Sequence, residues 1–305
     1  MGLYQKHRPV KLEDIKGNES VVASLEVFLS GEKECPHSFL FSGPTGCGKT
    51  TIARIIADKL HCKGTDLKEL DTASYRGIDT IRDLRQNCSF PPLEGETRVW
   101  ILDECHKLTG DAQNALLKLL EDTPSHSYFI LCTTEPENLL STIRGRCVQY
   151  QMELLNERQM FSLIRDIVKK EEESISVEII KQIVDSAQGH PRDAINILEQ
   201  VLSVPEDERD GVANNIKLTQ AEIIELCRVL VKPDAKWKTI AGILKGLKGE
   251  KEENIRRVIL GYCQAILLNG ENDHVGFVME QFIDPFYNTE FPGLVFACYK
   301  ITNCK

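Results

Sequence analysis

The sequence has no long apolar run, an absence that excludes a large class of proteins. None of its apolar stretches approaches the roughly 20 residues that a membrane-spanning helix requires, so we expect no membrane partner. The N-terminal stretch MGLYQKHRPV has no apolar core of a signal peptide. We therefore expect a cytoplasmic protein, in the host cytoplasm if the source is viral, with the nucleus as the alternative for a eukaryotic source.

Paired cysteine motifs are also missing. The 11 cysteines are scattered along the chain without any CxxC pair. This pattern predicts reduced thiols in a cytosol-like compartment, most of them acting as small buried apolar residues. The same absence argues against a zinc site, which normally uses clustered cysteines.

Basic residues are not in excess. The chain has 37 Lys and Arg against 46 Asp and Glu, a net charge of −9. An acidic chain is a poor general binder of nucleic acid, although a local basic surface remains compatible with this charge. The length of 305 residues, with 42% hydrophobic and 27% charged residues, is typical of a folded protein of two or three domains.

The chain divides into three regions that differ in their pattern of apolar and polar residues. Residues 1–152 alternate apolar runs with amphipathic stretches, which predicts an α/β fold, a parallel sheet with helices on both faces. Residues 153–203 predict a three-helix unit, in which Asn156 is the N-cap of the first helix, the second begins at Ser176 and Pro191 is the first residue of the third. Residues 204–305 predict an all-helical region, with a polar, turn-rich linker at 203–215 before its helices. In the last region, Thr219 and Glu222 form a capping-box pattern before a helix. The predicted strands are 38–43, 67–74, 98–104, 127–134 and 146–152.

The stretch GPTGCGKT after the first predicted strand matches the phosphate-loop pattern G-x-x-x-x-G-K-S/T. Glycines let the backbone N–H groups converge on phosphates, the lysine adds a positive charge, and the final hydroxyl can bind Mg²⁺. A helix begins at the loop, and its N-terminus favours an anion. We interpret the cysteine in the loop as a small filler. The predicted nucleotide-binding residues here are Gly43, Pro44, Thr45, Gly46, Cys47, Gly48, Lys49, Thr50 and Thr51.

A second motif, VWILDECHKL, places two carboxylates at the end of a predicted buried strand. We expect Asp103 to hold Mg²⁺ through water, together with Thr50, and Glu104 to polarise the attacking water. The letters also match the DExH box of helicases. Those enzymes need a second domain of the same kind, and residues after 152 show no second set of strands, so we interpret His106 as incidental.

Three further polar features point to the same chemistry. Thr134, with Thr133 as the alternative, ends the next predicted strand, where a hydroxyl can orient the lytic water. Arg146 stands just before the last predicted strand. Arg192 lies in the first turn of a helix, a slightly unfavourable place for a cation that makes more sense if the side chain faces a phosphate.

Together these motifs resemble the AAA+ ATPases, and among them the clamp-loader ATPase subunits. DECHKLTGDAQNALLKLLEDTPSHSYFILCTTEPENLLSTIRGRC is similar to bacterial gamma/tau subunits, and SYRGIDTIRDLRQ to replication factor C small subunits. YQKHRPVKLEDIKGNESVVASL is similar to the family's N-terminal segment, in which Arg8 and Pro9 lie by the adenine. The resemblance implies a RecA-like sheet domain at 1–152, a helical lid at 153–203 and a collar at 204–305.

The resemblance also implies residue roles. Thr134 matches sensor 1, Arg192 matches sensor 2, and Arg146 matches the arginine finger of a Ser-Arg-Cys motif that reaches the ATP site of a neighbouring subunit. Gly145 replaces the serine of that motif, and we expect finger function to survive with a looser turn. The gamma/tau zinc module is missing, since only Cys62 stands there, so a phage- or archaeal-type small subunit fits the length better.

An arginine finger that acts in trans predicts an oligomer. The family implies a pentamer with one different subunit, a sliding clamp as partner, and primer–template DNA held without base readout. ATP and Mg²⁺ are the implied cofactors. Two predicted helix starts offer phosphate contacts, through Arg76, Gly77, Thr80 and Arg82 at one and Lys107 and Thr109 at the other.

Three other functions stay open on the sequence. A Holliday-junction branch-migration motor would need a C-terminal winged helix with strands, and none is predicted after residue 217. A protein-remodelling chaperone would favour an aromatic pore loop, and Tyr75 is only a weak match to one. A scaffold subunit that does not hydrolyse ATP is disfavoured by the intact Lys49, Asp103 and Glu104.

Overall fold

The computed structural model describes residues 2–286 and 289–303. The chain separates into two compact units, unit 1 at Met1–Glu206 and unit 2 at Asp207–Lys305. Within the described residues, every helix is too short or too polar to cross a lipid bilayer.

Unit 1 is built on a five-stranded sheet. Its strands are β1 Ser38–Ser42, β2 Leu67–Asp71, β3 Arg98–Asp103, β4 Ser127–Thr133 and β5 Val148–Gln151. They lie in the order β2-β3-β4-β1-β5, and each neighbouring pair is parallel. The predicted parallel sheet is therefore confirmed. Each strand is shorter than its predicted run, because residues at its ends, such as Gly43, Glu104 and Thr134, leave the sheet for the adjoining loops.

Helices cover both faces of this sheet. They are α2 Glu19–Leu29, α3 Lys49–Lys59, α4 Ile78–Cys88, α5 Gly110–Glu121 and α6 Ser141–Arg144. The short helix α1 Leu3–Lys6 instead contacts the later helix Pro191–Leu202. Because side chains alternate along a strand, Phe39 and Phe41 of β1 pack with Ile52 of α3 on one face. Leu40 points to the other face, where it joins a cluster that includes Leu84 of α4 and Leu116 of α5.

Three helices complete unit 1, namely α7 Glu157–Lys170, α8 Val177–Ala187 and α9 Pro191–Leu202. Their predicted starts are confirmed. Asn156 forms a capping box with Gln159, Ser176 caps α8, and Pro191 is the first residue of α9. The division of unit 1 at residue 152 into a sheet domain and a lid stays a prediction.

Unit 2 contains α10 Arg209–Leu230, α11 Trp237–Gly246, α12 Glu252–Leu267, α13 Asp273–Glu280 and α14 Glu290–Asn303. Its core includes Leu226, Ile259 and Phe282, all fully buried. The predicted linker at 203–215 is wrong from Arg209 onward, where the polar residues form the first turns of α10. The capping box is also wrong: Thr219 lies inside α10, and its hydroxyl donates to the carbonyl of Asn215.

Candidate active site

The loop between β1 and α3 has a backbone that only glycine tolerates. Gly43, Gly46 and Gly48 have φ values of 145°, 79° and 104°. A Cβ atom added to Gly43 would lie 2.4 Å from the carbonyl oxygen of Met152, so any other residue would clash with the backbone. The glycines of the sequence motif therefore serve the fold of the loop itself.

The side chain of Lys49 is buried inside this loop and holds its backbone together. It is only 5% exposed, and its ammonium group donates to the carbonyl oxygens of Gly43 and Pro44, each over 2.8 Å. Cys47 is buried beside it, and burial raises the pKa of the Cys47 thiol. The predicted role of Cys47 as a small filler fits this environment. The loop thus presents a fixed positive charge at the N-terminus of α3, a place that favours phosphates.

Thr50 and Asp103 bring the two sequence motifs together. The hydroxyl of Thr50 donates to Oδ2 of Asp103 over 3.0 Å. Oδ1 of Asp103 accepts from the backbone N–H of Glu104, and the hydroxyl of Thr72 in turn donates to the carbonyls of Asp103 and Glu104. One hydroxyl and one carboxylate beside a phosphate loop suit Mg²⁺, which takes few protein ligands and completes its shell with phosphate and water.

Glu104 turns out of β3 into the same cavity. Its backbone adopts the left-handed region, with φ 53°. Its side chain lines a cavity whose walls include Lys49, Thr50 and Asp103. The ring of His106 lies behind it, with Nε2 3.5 Å from Oε2 of Glu104. That contact does not fit the expectation that His106 is incidental.

The far wall of the cavity comes from the N-terminal segment and from α9. Arg8 donates from Nε to the hydroxyl of Thr51 over 3.1 Å, and Pro9 lies in the same wall. Burial, with a smaller contribution from nearby Arg54, lowers the pKa of Arg8. Arg192 lines the cavity, its guanidinium 5.6 Å from the ring centre of Tyr4.

Two residues near this wall were missed from the sequence, Tyr4 in the wall itself and His190 beside the phosphate loop. Tyr4 lies under Arg192, and Nδ1 of His190 lies 2.9 Å from the carbonyl oxygen of Thr45 in the phosphate loop. The position of His190 directly before Pro191, at the start of the helix that carries Arg192, was the available signal.

Thr133, the last residue of β4, and Thr134, which follows the strand, differ in burial. Thr133 is fully buried, and its hydroxyl contacts the ring of His106 and the N–H of Glu135. Thr134 is half-buried. Neither threonine is among the residues that line the cavity, so the assignment of Thr134 as sensor 1 stays a prediction.

Arg146 lies at the opposite end of the sheet from the phosphate loop. Gly43 follows the end of β1, whereas Arg146 precedes the start of β5, the strand paired with β1 in parallel. At the rise of a β-strand this separation is about 20 Å. The guanidinium is exposed, pairs with Glu121 and donates to the carbonyl of Thr142 over 2.9 Å. Arg146 therefore cannot serve the cavity of its own chain.

The two predicted helix starts for DNA contact lie side by side. The N–H of Thr109 donates to the carbonyl of Arg76 over 3.1 Å, which joins the start of α5 to the start of α4. The hydroxyl of Thr109 caps α5, and Gly77 occupies the N-cap position of α4 without a side-chain hydrogen bond. Arg76 and Lys107 are exposed. The remaining two predicted residues, Thr80 and Arg82, follow within α4, where Arg82 pairs with Asp79.

The phosphate loop and the acidic strand end both lie in segments that match known protein families. Residues 68–156 match the family described as DNA polymerase III, delta subunit, and residues 11–99 match magnesium chelatase, subunit ChlI. The chain is 37% identical over 226 residues to DNA polymerase III subunit gamma/tau of Mycobacterium tuberculosis, covering 67% of this chain and 39% of that protein. It is 35% identical to DNA polymerase III subunit tau of Bacillus subtilis, covering 67% and 40%.

The chain thus spans about two fifths of the length of these relatives. Among solved structures, the Thermotoga maritima RuvB Holliday junction branch migration motor superposes with a TM-score of 0.60 at 20% identity, covering 78% of this chain and 85% of that one. At this identity the likeness concerns the fold alone.

Proposed function

We propose that this chain, which belongs to the bacterial-type clamp-loader ATPase subunits of the AAA+ family, uses ATP to open a sliding clamp and load it onto primer–template DNA. The bacterial relatives support this type in place of the phage- or archaeal-type subunit that the missing zinc module favoured. As a replication subunit of bacterial type, it would work in the cytoplasm.

The cavity residues have separate roles in this proposal. The N–H groups of the phosphate loop and Lys49 bind the phosphates of ATP. Thr50 and Asp103 would hold Mg²⁺, which supplies charge neutralisation at the phosphate oxygens when bound. Glu104 accepts a proton from the attacking water, and Arg192 stabilises the reacting groups. The proposal gives the role of sensor 1 to Thr134, which follows β4 and is not among the residues that line the cavity.

Hydrolysis in this proposal needs a second subunit. Arg146 is exposed and lies at the end of the sheet remote from its own cavity, so its guanidinium is available to the cavity of a neighbour. In other NTPases an arginine supplied in this way raises the hydrolysis rate by about 10³- to 10⁵-fold. We infer a ring-like pentamer in which unit 2 holds the subunits together and one subunit differs from the rest.

DNA would be held at the joined starts of α4 and α5. Arg76, Lys107 and the helix N-termini offer contacts to phosphates and none that reads a base edge. Binding through such contacts is salt-dependent and tolerant of sequence, as a protein that must load clamps at any primer requires.

The single observation that carries the proposal is the hydrogen bond from Thr50 to Asp103, with Glu104 in the same cavity. It supports the proposal because it joins the helix that follows the phosphate loop to the acidic end of β3. The test is a steady-state ATPase assay of the assembled complex. We expect the rate to rise on addition of primed DNA and to rise again with a sliding clamp. A rate that neither addition changes would contradict clamp loading.

The branch-migration motor is not favoured as a second function. Its support is the fold likeness to RuvB, which any AAA+ protein shares. All regular elements in the part of unit 2 that the structure describes are helices, so the strands of a winged helix are not among them.

A further inference from the structure

We propose that His106 is a positioning residue for Glu104: its ring fixes the carboxylate from behind and ties it to the end of β4. The inference rests on the proposed ATPase function. It gives a role to a residue whose place in the DExH string led us to regard it as incidental.

The ring of His106 is enclosed between groups from two strands. Its side chain is 2% exposed, and Nε2 lies 3.5 Å from Oε2 of Glu104 and 3.5 Å from Oε1 of Glu135. On the other side, Nδ1 lies 3.0 Å from the hydroxyl oxygen of Thr133. Both ring nitrogens therefore face polar partners in a buried setting.

The proton positions follow from these partners. Nε2 faces two carboxylates, which accept hydrogen bonds when ionised, so Nε2 carries a hydrogen. The hydroxyl of Thr133 accepts from the N–H of Glu135 over 3.0 Å and can still either donate to or accept from Nδ1. Thr133 thus fixes the plane of the ring, and Nε2–H faces the carboxylates of Glu104 and Glu135.

The ring acts from outside the cavity. Glu104 lines the cavity and its side chain is 35% exposed, whereas His106 is not among the lining residues. A buried histidine that only packed in the core would not need to face the carboxylate of the proposed base. Here the ring contacts the carboxylate of the proposed base and does not itself line the cavity, so we expect its main effect on hydrolysis to pass through Glu104.

The contact also joins Glu104 to the phosphate loop. The carbonyl of Thr133 accepts from the N–H of Gly43, the first residue of that loop, over 3.2 Å. The path from Glu104 through His106 and Thr133 to Gly43 fixes the proposed base relative to the loop that binds the phosphates. A misplacement of about 1 Å at such a group costs about 10²-fold in rate.

The test compares three substitutions in the assembled complex. His106→Phe keeps the ring volume and removes both polar contacts. His106→Gln keeps an N–H donor that reaches Glu104, and the shorter His106→Asn reaches only Thr133. The exposed histidine His61, replaced by Asn, is the matched control. Nucleotide affinity, thermal unfolding, kcat and KM are measured for each, with primed DNA and clamp present.

We expect His106→Phe and His106→Asn to lower kcat by about 10- to 100-fold while KM and nucleotide affinity stay within about twofold. His106→Gln should recover most of kcat. In a Glu104→Gln background, His106→Phe should bring no further loss, because the group that it positions is already gone.

A loss that adds fully to that of Glu104→Gln would overturn the inference, and so would equal kcat values for the Gln and Asn variants. If the Phe variant unfolds, the Gln and Asn pair decides the question. Failure of the proposed function can be told from failure of this inference, because in that case the wild-type complex itself shows no stimulated hydrolysis.

Discussion

The hydroxyl of Thr50 lies 3.0 Å from Oδ2 of Asp103, although 53 residues of sequence separate the two. The contact is possible because both residues stand at the carboxyl ends of parallel strands, Thr50 just after the loop that follows β1 and Asp103 at the end of β3. In an open parallel sheet, that edge is where ligands bind. The pair thus marks the expected Mg²⁺ position without the metal being needed to form it.

Replacing Thr50 by Val should weaken the response of the enzyme to Mg²⁺. The substitution keeps the shape of the side chain and removes the oxygen that faces Asp103, a loss of about 1–2 kcal/mol or roughly 10-fold in affinity. Titration of hydrolysis with Mg²⁺ measures the change, and Thr50→Ser, which retains the hydroxyl, should behave as wild type. An unchanged Mg²⁺ requirement in Thr50→Val would exclude Thr50 as a ligand.

Replacing Arg76 or Lys107 by Ala should weaken DNA binding at every sequence to a similar degree. Each substitution removes one cation from the joined helix starts, so the slope of log affinity against log salt should fall by about 1. Fluorescence anisotropy with labelled primer–template at several salt concentrations gives both values. Lys118, exposed near the far end of α5, is the matched control. If Lys118→Ala weakens binding as much, the contact surface is elsewhere.

A buried aspartate gives a prediction about acid stability. Asp66 is fully buried, and burial alone would raise its pKa. Hydrogen bonds from the N–H groups of Glu94, Leu93 and Gly95, and from Arg98, outweigh that effect and lower the pKa to about 2. The folded pKa lies below the ordinary value of 3.8, so the carboxylate stabilises the fold above pH 3.8 and this contribution is lost as the pH falls toward 2.

Asp66→Asn should therefore flatten this part of the stability profile. Wild type should lose about 2 kcal/mol more than the variant between pH 5 and pH 2, since a shift of one pKa unit is worth 1.36 kcal/mol. The Asn variant should also be less stable at pH 7, because Arg98 loses its buried partner. Urea denaturation at several pH values measures both effects, with the exposed Asp58→Asn as control. Equal acid slopes for Asp66→Asn and wild type would refute the assignment.

The sheet and the phosphate loop could be predicted because their signals are local. Apolar runs such as 38–43 end in residues that cannot stay in a strand, and the glycines of the loop are required by φ values that other residues avoid. The helix starts at Asn156 and Ser176 were equally readable from their caps. In each case the deciding residues lie within a few positions of one another.

The parts that could not be predicted depend on distant contacts. The contact of His106 with Thr133 joins two strands, and that of His190 with Thr45 joins a helix start to the phosphate loop. No spacing rule links such residues before the fold is known. The linker prediction failed because a local signal was overruled. Gly211 and the asparagines after it favour turns, but they are tolerated inside the 22-residue helix α10.

In the proposed mechanism one chain binds ATP and the next supplies Arg146, and mixing two inactive variants tests whether the two groups act across an interface. Lys49→Ala lacks a working phosphate loop but keeps the arginine, whereas Arg146→Ala has a working loop and no arginine. Each alone should be inactive in the assembled complex, and Arg146→Ala should still bind nucleotide. The exposed Arg158→Ala serves as the control and should hydrolyse normally.

When the two variants are mixed in equal amounts before assembly, about one interface in four joins an intact loop to an intact arginine, so hydrolysis should return to roughly a quarter of the wild-type rate. A mixture of Lys49→Ala with the Lys49→Ala/Arg146→Ala double variant should stay inactive. Normal hydrolysis by Arg146→Ala alone, or a mixture that stays inactive although the subunits have co-assembled, would contradict the account.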